Sequence, residues 1–308
     1  MKYVIAGGSG FLGDALCARL ASDGDDIVIL TRGPGRTTAS SRYVTWTADP
    51  ATASGSDWAR ELDGADGVIN LAGAGIADRR WTAARKQQLR QSRVDSTRAL
   101  VSAARVATNR PTVFLSGSAV GFYGPQPDDG PALDESAPPG SDFLSVLAVD
   151  WEAEAHAAEA LGSRVVIVRT GVVLARNGGA LEKMIPPFRF LVGGPLGSGR
   201  QVMSWIHLTD WVDLIVWLLR TPGASGTFNA TAPEPATNRE FSAALGRALR
   251  RPSWIPVPGF ALKLIVGEMA GPALLAGQRV IPKRALDLGF QFSYPEISSA
   301  LQTAVSAK

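Results

Sequence analysis

Short, almost wholly apolar runs alternate with longer stretches of helical period over the first 170 residues of the chain. Residues 2–6, 26–31, 42–47, 67–71, 112–116 and 164–169 are apolar, β-branched runs bounded by turn formers, and read as strands. Their lack of polar alternation is expected of parallel strands covered on both faces. Between them, 11–22, 56–62, 82–107 and 142–161 carry apolar residues at helical spacing. Alternation sustained over this length predicts an α/β fold, a doubly wound parallel sheet.

After Arg169 the texture changes. Residues 171–202 are rich in glycine and proline, as long functional loops are. Helical period returns over 209–220, with Thr209 or Asp210 as its cap, and over 238–250, with Asn238 as the expected N-cap. The apolar segment 255–281 is broken by Pro256, Pro258, Gly267, Gly271 and Pro272. Those breaks exclude one long amphipathic helix and favour a pocket wall or the core of a small lobe.

Composition narrows the classes. With 45% hydrophobic and 19% charged residues, the chain of 308 is that of a globular protein. Its net charge of +3 comes from scattered Lys and Arg with no phosphate-tracking stripe, so no nucleic-acid partner is expected. The single Cys17 excludes an internal disulfide framework, and two histidines, His156 and His207, do not furnish a metal site. The stretch 205–219 is too short and too charged to span a bilayer, and Met1-Lys2-Tyr3 runs straight into the apolar stretch Val4-Ile5-Ala6, so no signal peptide is expected. A cytoplasmic protein acting on a small molecule is expected, without a membrane partner and compatible with a homodimer.

The sharpest motif is Gly7-Gly8-Ser9-Gly10-Phe11-Leu12-Gly13, between the first strand and the first helix. Gly7 allows the tight turn, Gly10 a close approach to a pyrophosphate, and Gly13 the packing of helix on strand. The helix start supplies free N–H groups and partial positive charge. This is the Rossmann pattern for a dinucleotide. The second strand ends Thr31-Arg32 where an NAD site places an acid; Arg32, with Arg36 as a second contact, suits a 2′-phosphate and favours NADP(H). Leu71, Ala72 and Gly73 end the fourth strand, where small residues let a ribose lie against the backbone. Ser116, Gly117 and Ser118 end the fifth, beside the expected nicotinamide; either serine can bond a substrate oxygen or cap the next turn. The layout is then an NADP-binding core over 1–175 and a mixed substrate lobe over 176–308, with about 205–232 returning to the core.

Further along, Gly73-Ala74-Gly75-Ile76, Arg79-Arg80-Trp81, Ser92-Arg93-Val94, residues 118–124, Arg169-Thr170-Gly171-Val172 and 193–207 complete a pattern. It resembles an extended short-chain dehydrogenase/reductase, in the atypical epimerase-family (NAD-dependent epimerase/dehydratase-like) branch. The resemblance covers nearly the whole chain and implies that Arg169, Gly171 and Val172 border the cofactor. Active members carry a Tyr and, four residues later, a Lys on one face of the helix after the serine strand. Leu144 and Ala148 occupy those positions here, so the usual proton relay is absent. Ser118 with water, Tyr123 or the substrate itself is left for proton transfer; Tyr123 reads equally as a packed loop aromatic.

Arg79 and Trp81 border the expected crevice and suit a planar or anionic substrate, or else open a helix with Trp81 packed inward. Met184 and Phe188, one turn apart, fit a pocket wall as well as a core, and Arg200 a pocket rim. His207 reads as a structural corner and Cys17 as a small buried hydrophobe. The leading expectation is an NADP(H)-dependent oxidoreductase acting on a small carbonyl or hydroxyl compound. The alternatives are a non-catalytic NADP(H)-binding redox-sensing or regulatory module, and a sugar-nucleotide epimerase.

Overall fold

The computed structural model describes residues 1–34 and 41–306. The apolar runs form strands β1 (Lys2–Ala6), β2 (Asp26–Thr31), β3 (Ser41–Thr45), β4 (Gly67–Asn70), β5 (Val113–Ala119) and β6 (Arg164–Thr170). Then follow β7 (Val172–Leu174), β8 (Val202–Met203), β9 (Trp205–His207), β10 (Gly226–Ala230) and β11 (Ala236–Thr237). The helices are α1 (Phe11–Ser22), α2 (Ala83–Val106), α3 (Phe143–His156), α4 (Gly179–Arg189), α5 (Leu208–Arg220), α6 (Asn238–Leu249), α7 (Gly259–Val266), α8 (Lys283–Asp287) and α9 (Ile297–Ser306).

Seven strands make one parallel sheet in the order β10-β6-β5-β4-β1-β2-β3, the doubly wound architecture that the apolar runs predict. On one face, Leu16 and Leu20 of α1 and Trp211, Leu214 and Leu218 of α5 pack against Ile5, Ile29 and Val168. On the other, Ala99, Leu100 and Ala103 of α2 and Ala155 of α3 pack against Val4, Val28 and Phe114. A separate core joins Leu181, Ile185 and Phe188 of α4 to Phe241 and Leu245 of α6 and Leu301 of α9. The strand order reverses between β1 and β4, whose pairing sets Ala6 beside Asn70, while Ala6 faces Leu30 on β2. In such sheets the crevice for a ligand opens outside the carboxyl ends at this reversal.

Several local expectations are corrected. Residues 57–62 form a 3₁₀ turn rather than an α-helix. The cap of α6 is Thr237, not Asn238: Thr237 and Glu240 form a reciprocal capping box, and the Asn238 side chain instead accepts from the Leu196 N–H at 2.7 Å. The cap of α5 is His207, whose Nδ1 accepts from the Thr209 N–H at 3.2 Å. The tail is not simply wall or core. Leu262, Val266 and Met269 turn inward, but Phe260 and Leu264 of α7 are 77% and 76% exposed, as is Trp254 at 78%.

Candidate functional site

One groove crosses the carboxyl edge of the sheet as two adjoining cavities of about 470 and 430 Å³, which share Gly7, Gly10, Leu71 and Gly73. Their common wall is the glycine turn. Gly7 has φ +83°, and a Cβ there would lie 2.6 Å from the Leu71 carbonyl carbon; one on Gly13 would lie 2.2 Å from the Gly7 oxygen. Only hydrogen fits at these two positions. Helix α1 opens at Gly10 with no side-chain cap, so the first N–H groups of the helix are left to a ligand. A dinucleotide's phosphates match that donor set, and the two cavities supply room on either side.

The outer cavity is lined by Ser9, Leu30, Thr31, Arg32, Trp46 and Ala72, among others. Arg32 is exposed there and forms no ion pair among the described residues, which leaves its guanidinium for a ligand phosphate. Thr31 Oγ1 accepts from the Gly33 N–H and fixes the turn after β2. Arg36, the second contact expected from the sequence, lies outside the described residues.

The inner cavity is lined by Phe11, Leu12, Gly13, Gly117, Ser118 and Arg93, with Leu144, Leu147 and Ala148 of α3 and Trp211 of α5. The two positions where the family's Tyr and Lys would stand, Leu144 and Ala148, therefore do face the groove, and they present only carbon. Among the described residues lining this cavity, Arg93 is the one charged side chain. Burial, and then the neighbouring Arg85, push its guanidinium down to about 10.

Behind Ser118 runs a buried polar chain. Ser118 Oγ donates to Glu152 Oε1 at 2.5 Å, and Arg169 grips the same carboxylate through Nε and Nη2 at 2.9 and 2.8 Å. Arg169 Nη1 donates to the Tyr123 hydroxyl at 3.0 Å, which donates to Asn229 Oδ1 at 2.7 Å. Burial opposes the charge of Arg169, but its bonds to Glu152 more than offset that, and its pKa stands above the ordinary value. Tyr123, 1% exposed, has its pKa raised by burial.

The predicted residues thus divide. The glycine loop, Thr31, Arg32, Leu71, Ala72, Gly73, Gly117 and Ser118 are brought together on the groove. Tyr123 is not among its lining; its hydroxyl is committed to Asn229 and Arg169 behind the serine. Ser116 is buried and donates to the Gly117 carbonyl, Arg169 holds Glu152, and Gly171 abuts the Ser204 carbonyl, none of them on the groove wall. Val172 and Met184 pack against the separate core of α4, α6 and α9, to which Phe188 belongs. Trp81 is buried with Leu89, Leu147 and Met269, its Nε1–H donated to the Ile76 carbonyl at 3.0 Å. Arg79 is exposed off the groove, and Arg200 pairs with Asp128 at 3.3 Å. Cys17 is buried and its thiol is pushed up to about 12 by desolvation, as for an inert hydrophobe.

Sequence reasoning did not assign Arg93, Glu152, Trp151 or Trp211 to the site. A signal existed for Arg93: Arg85, Leu89 and Arg93 share one helical face, and Leu89 is fully buried, so an arginine stands on the inward side.

A doubly wound sheet with its glycine turn at the strand-order reversal, and a groove running to the serine strand and the helix beyond it, defines a dinucleotide-binding protein of the extended short-chain dehydrogenase/reductase type. The chain belongs to the NAD dependent epimerase/dehydratase family, whose model matches residues 3–230; a domain of unknown function matches 257–304. It is 42% identical to an epimerase family protein of Mycobacterium tuberculosis over 98% of this chain and 97% of that one. It is 38% identical to the human epimerase family protein SDR39U1, over 99% of this chain and all of the relative. The crystal structure of human SDR39U1 isoform 2 with NADPH superposes with a TM-score of 0.89 at 35% identity, covering 99% of each chain. A UDP-glucuronic acid 4-epimerase of Bacillus cereus, at 16% identity, TM-score 0.77 and 99% and 98% coverage, shares the fold. Among the described residues no helix is long and apolar enough to cross a membrane, and no cluster of ligands could hold a metal ion.

Proposed function

We propose that this protein binds NADP(H) along the groove and transfers hydride between the nicotinamide and a small carbonyl or hydroxyl compound in the inner cavity. The observation that carries the reading is Arg32, exposed on the groove at the carboxyl end of β2, where an NAD site needs an acid. The NADPH in the human relative's crystal structure supports it. When bound, the cofactor would accept the hydride in oxidation and supply it in reduction.

The chain's own residues supply the rest. The opening N–H groups of α1 hold the pyrophosphate, and Arg32 holds the 2′-phosphate. Leu144, Leu147, Ala148 and Trp211 keep water from the reacting carbon. Ser118 donates its own hydrogen to Glu152, so its lone pairs are free to accept from a substrate hydroxyl. As hydride leaves the carbinol carbon, the substrate's proton passes to Ser118 Oγ and the serine's proton to the Glu152 carboxylate; reduction runs the same transfers backward. Arg169 holds that carboxylate aimed at Ser118 through two hydrogen bonds.

The test is fluorescence titration of NADPH and NADH against wild type and Arg32→Ala. The reading expects NADPH to bind at least roughly 10-fold tighter, a preference of about 1.4 kcal/mol that collapses in the variant. Equal affinity for both, or none for either, defeats it. A second reading, a binding module without turnover, is favoured by Leu144 and Ala148 standing at the Tyr and Lys positions. Tight NADPH binding with no oxidation across a panel of carbonyl compounds selects that module.

A further inference from the structure

Within that reading, on which this inference rests, the inner cavity poses a separate question: Arg93 is a half-buried cation in a wall that is otherwise uncharged among the described residues. Its Nη1 donates to the carbonyls of Ala74 and Leu89 at 3.1 and 3.2 Å. Its Nε and Nη2 meet no acceptor among the described residues, yet neither is sealed inside protein. Among the described residues no carboxylate pairs with it, and Arg85, whose charge acts against its own, is another cation, bonded to the Gly75 carbonyl at 2.5 Å and paired with Asp78 at 3.9 Å. Holding a cation in such surroundings is costly unless an anion completes it.

The residue facing it is chosen to leave it open. Gly73 does not have a positive φ, so its backbone would accept a side chain; yet a Cβ there would lie 3.0 to 3.2 Å from the Arg93 guanidinium. A side chain at 73 would therefore press on the guanidinium, a contact that glycine avoids. Trp151 lies on the other side, its ring 5.2 Å from the Arg93 carbon and its edge against Gly117, next to Ser118. The cation and the serine strand thus flank one indole. The pyrophosphate has its own donors in the opening turn of α1, on the β1 side of the groove, whereas Arg93 stands over the loop after β4.

We propose that Arg93 is the carboxylate anchor of the substrate site, and that the substrate class is a small apolar keto or hydroxy acid. The guanidinium offers Nε and Nη2 in the planar fork that matches two carboxylate oxygens. The carbon walls of Ile76, Leu144, Leu147 and Trp151 take the apolar body, which leaves the carbonyl or hydroxyl for Ser118.

The experiment uses phenylpyruvate and its methyl ester as probes, titrated against the full chain loaded with NADP. Wild type is expected to bind the acid at least roughly 10-fold tighter than the ester. Arg93→Met should erase that difference while NADPH affinity stays within about twofold, and Arg93→Lys should keep part of it as a point charge. Gly73→Ala, which crowds the guanidinium, should weaken the acid more than the ester. Equal binding of acid and ester by wild type overturns the proposal. So does a loss of NADPH affinity in Arg93→Met that matches the loss for the acid, since the arginine would then serve the cofactor. If Arg93→Met does not fold, Arg93→Lys decides: acid preference unchanged in both it and Gly73→Ala overturns the assignment. Failure of NADPH to bind wild type is a different result and strikes the function itself.

Discussion

The two ends of the groove are built from different material. At the glycine end the groups that line the groove are backbone: the turn at Gly7, the opening N–H groups of α1, and the absence of a Cβ at Gly13. At the inner end they are side chains: Ser118, Arg93, Leu144, Ala148 and Trp211. A backbone site is tied to the fold, because altering it moves a strand or a helix. A side-chain site can exchange every functional group while α3 and β5 stay where they are. Here the first end keeps the dinucleotide pattern whole, and the second presents carbon at Leu144 and Ala148, the two positions that the family resemblance gives to the usual proton relay.

The contrast breaks most readily at Gly13. A Cβ there falls 2.2 Å from the Gly7 oxygen and 2.6 Å from the Gly8 Cα, contacts that no side-chain rotation relieves. Gly13→Val should lower NADPH affinity by at least about 100-fold, some 2.7 kcal/mol, and cost about 1–3 kcal/mol of stability by overpacking. Fluorescence titration beside a urea melt reads both. Near-wild-type affinity would show that the backbone end tolerates change as the side-chain end does.

Ser118→Ala probes the opposite end. It leaves the glycine turn untouched and removes the groove's link to Glu152. We expect kcat/KM to fall about 100-fold or more with NADPH affinity within twofold, since proton transfer by a positioned group is worth that much. Initial rates under saturating NADPH, set beside a binding titration, give the split. Unchanged turnover would move the proton to water or to the substrate and leave Ser118 a turn-forming residue.

The same division explains what was legible in the sequence. Buried parallel strands are apolar runs, so β1, β2, β4, β5 and β6 announce themselves, and the glycine spacing names a backbone function directly. Side-chain direction leaves no such trace. Tyr123 is five residues from Ser118 in the chain, but β5 ends in a turn that sends its hydroxyl back to Asn229. Met184 and Phe188 have the spacing of a pocket wall and the burial of a lobe core, because the same period serves both. The cap at Thr237 was readable from Thr237-Asn238-Arg239-Glu240, a capping-box spacing that outranks asparagine's general preference. Arg93 was the hardest: on a long, highly charged helix only its place four residues after Leu89 sets it apart from its solvated neighbours.

The smallest expected effect lies just outside the groove and concerns the wall rather than the ligand. Trp211 reaches the inner cavity from the first turn of α5, and that turn is capped by His207. The cap works only while Nδ1 is an acceptor, hence only for the neutral ring, and burial lowers the ring's pKa from its usual 6.5. Protonation at Nδ1 would break the bond to the Thr209 N–H and set a positive charge on the positive end of the helix dipole. The sign follows from proton uptake. Below 6.5 the unfolded chain binds a proton that the folded ring resists, so the contribution of His207 is complete above 6.5 and is lost as pH falls through the lowered folded value. His207→Asn retains a capping acceptor that does not titrate. Its urea-melt stability should match wild type at pH 7.5 and exceed it by about 1 kcal/mol near pH 5. Parallel curves across that range would mean that His207 contributes by packing on Tyr294, 4.0 Å between ring centres, and not through its cap.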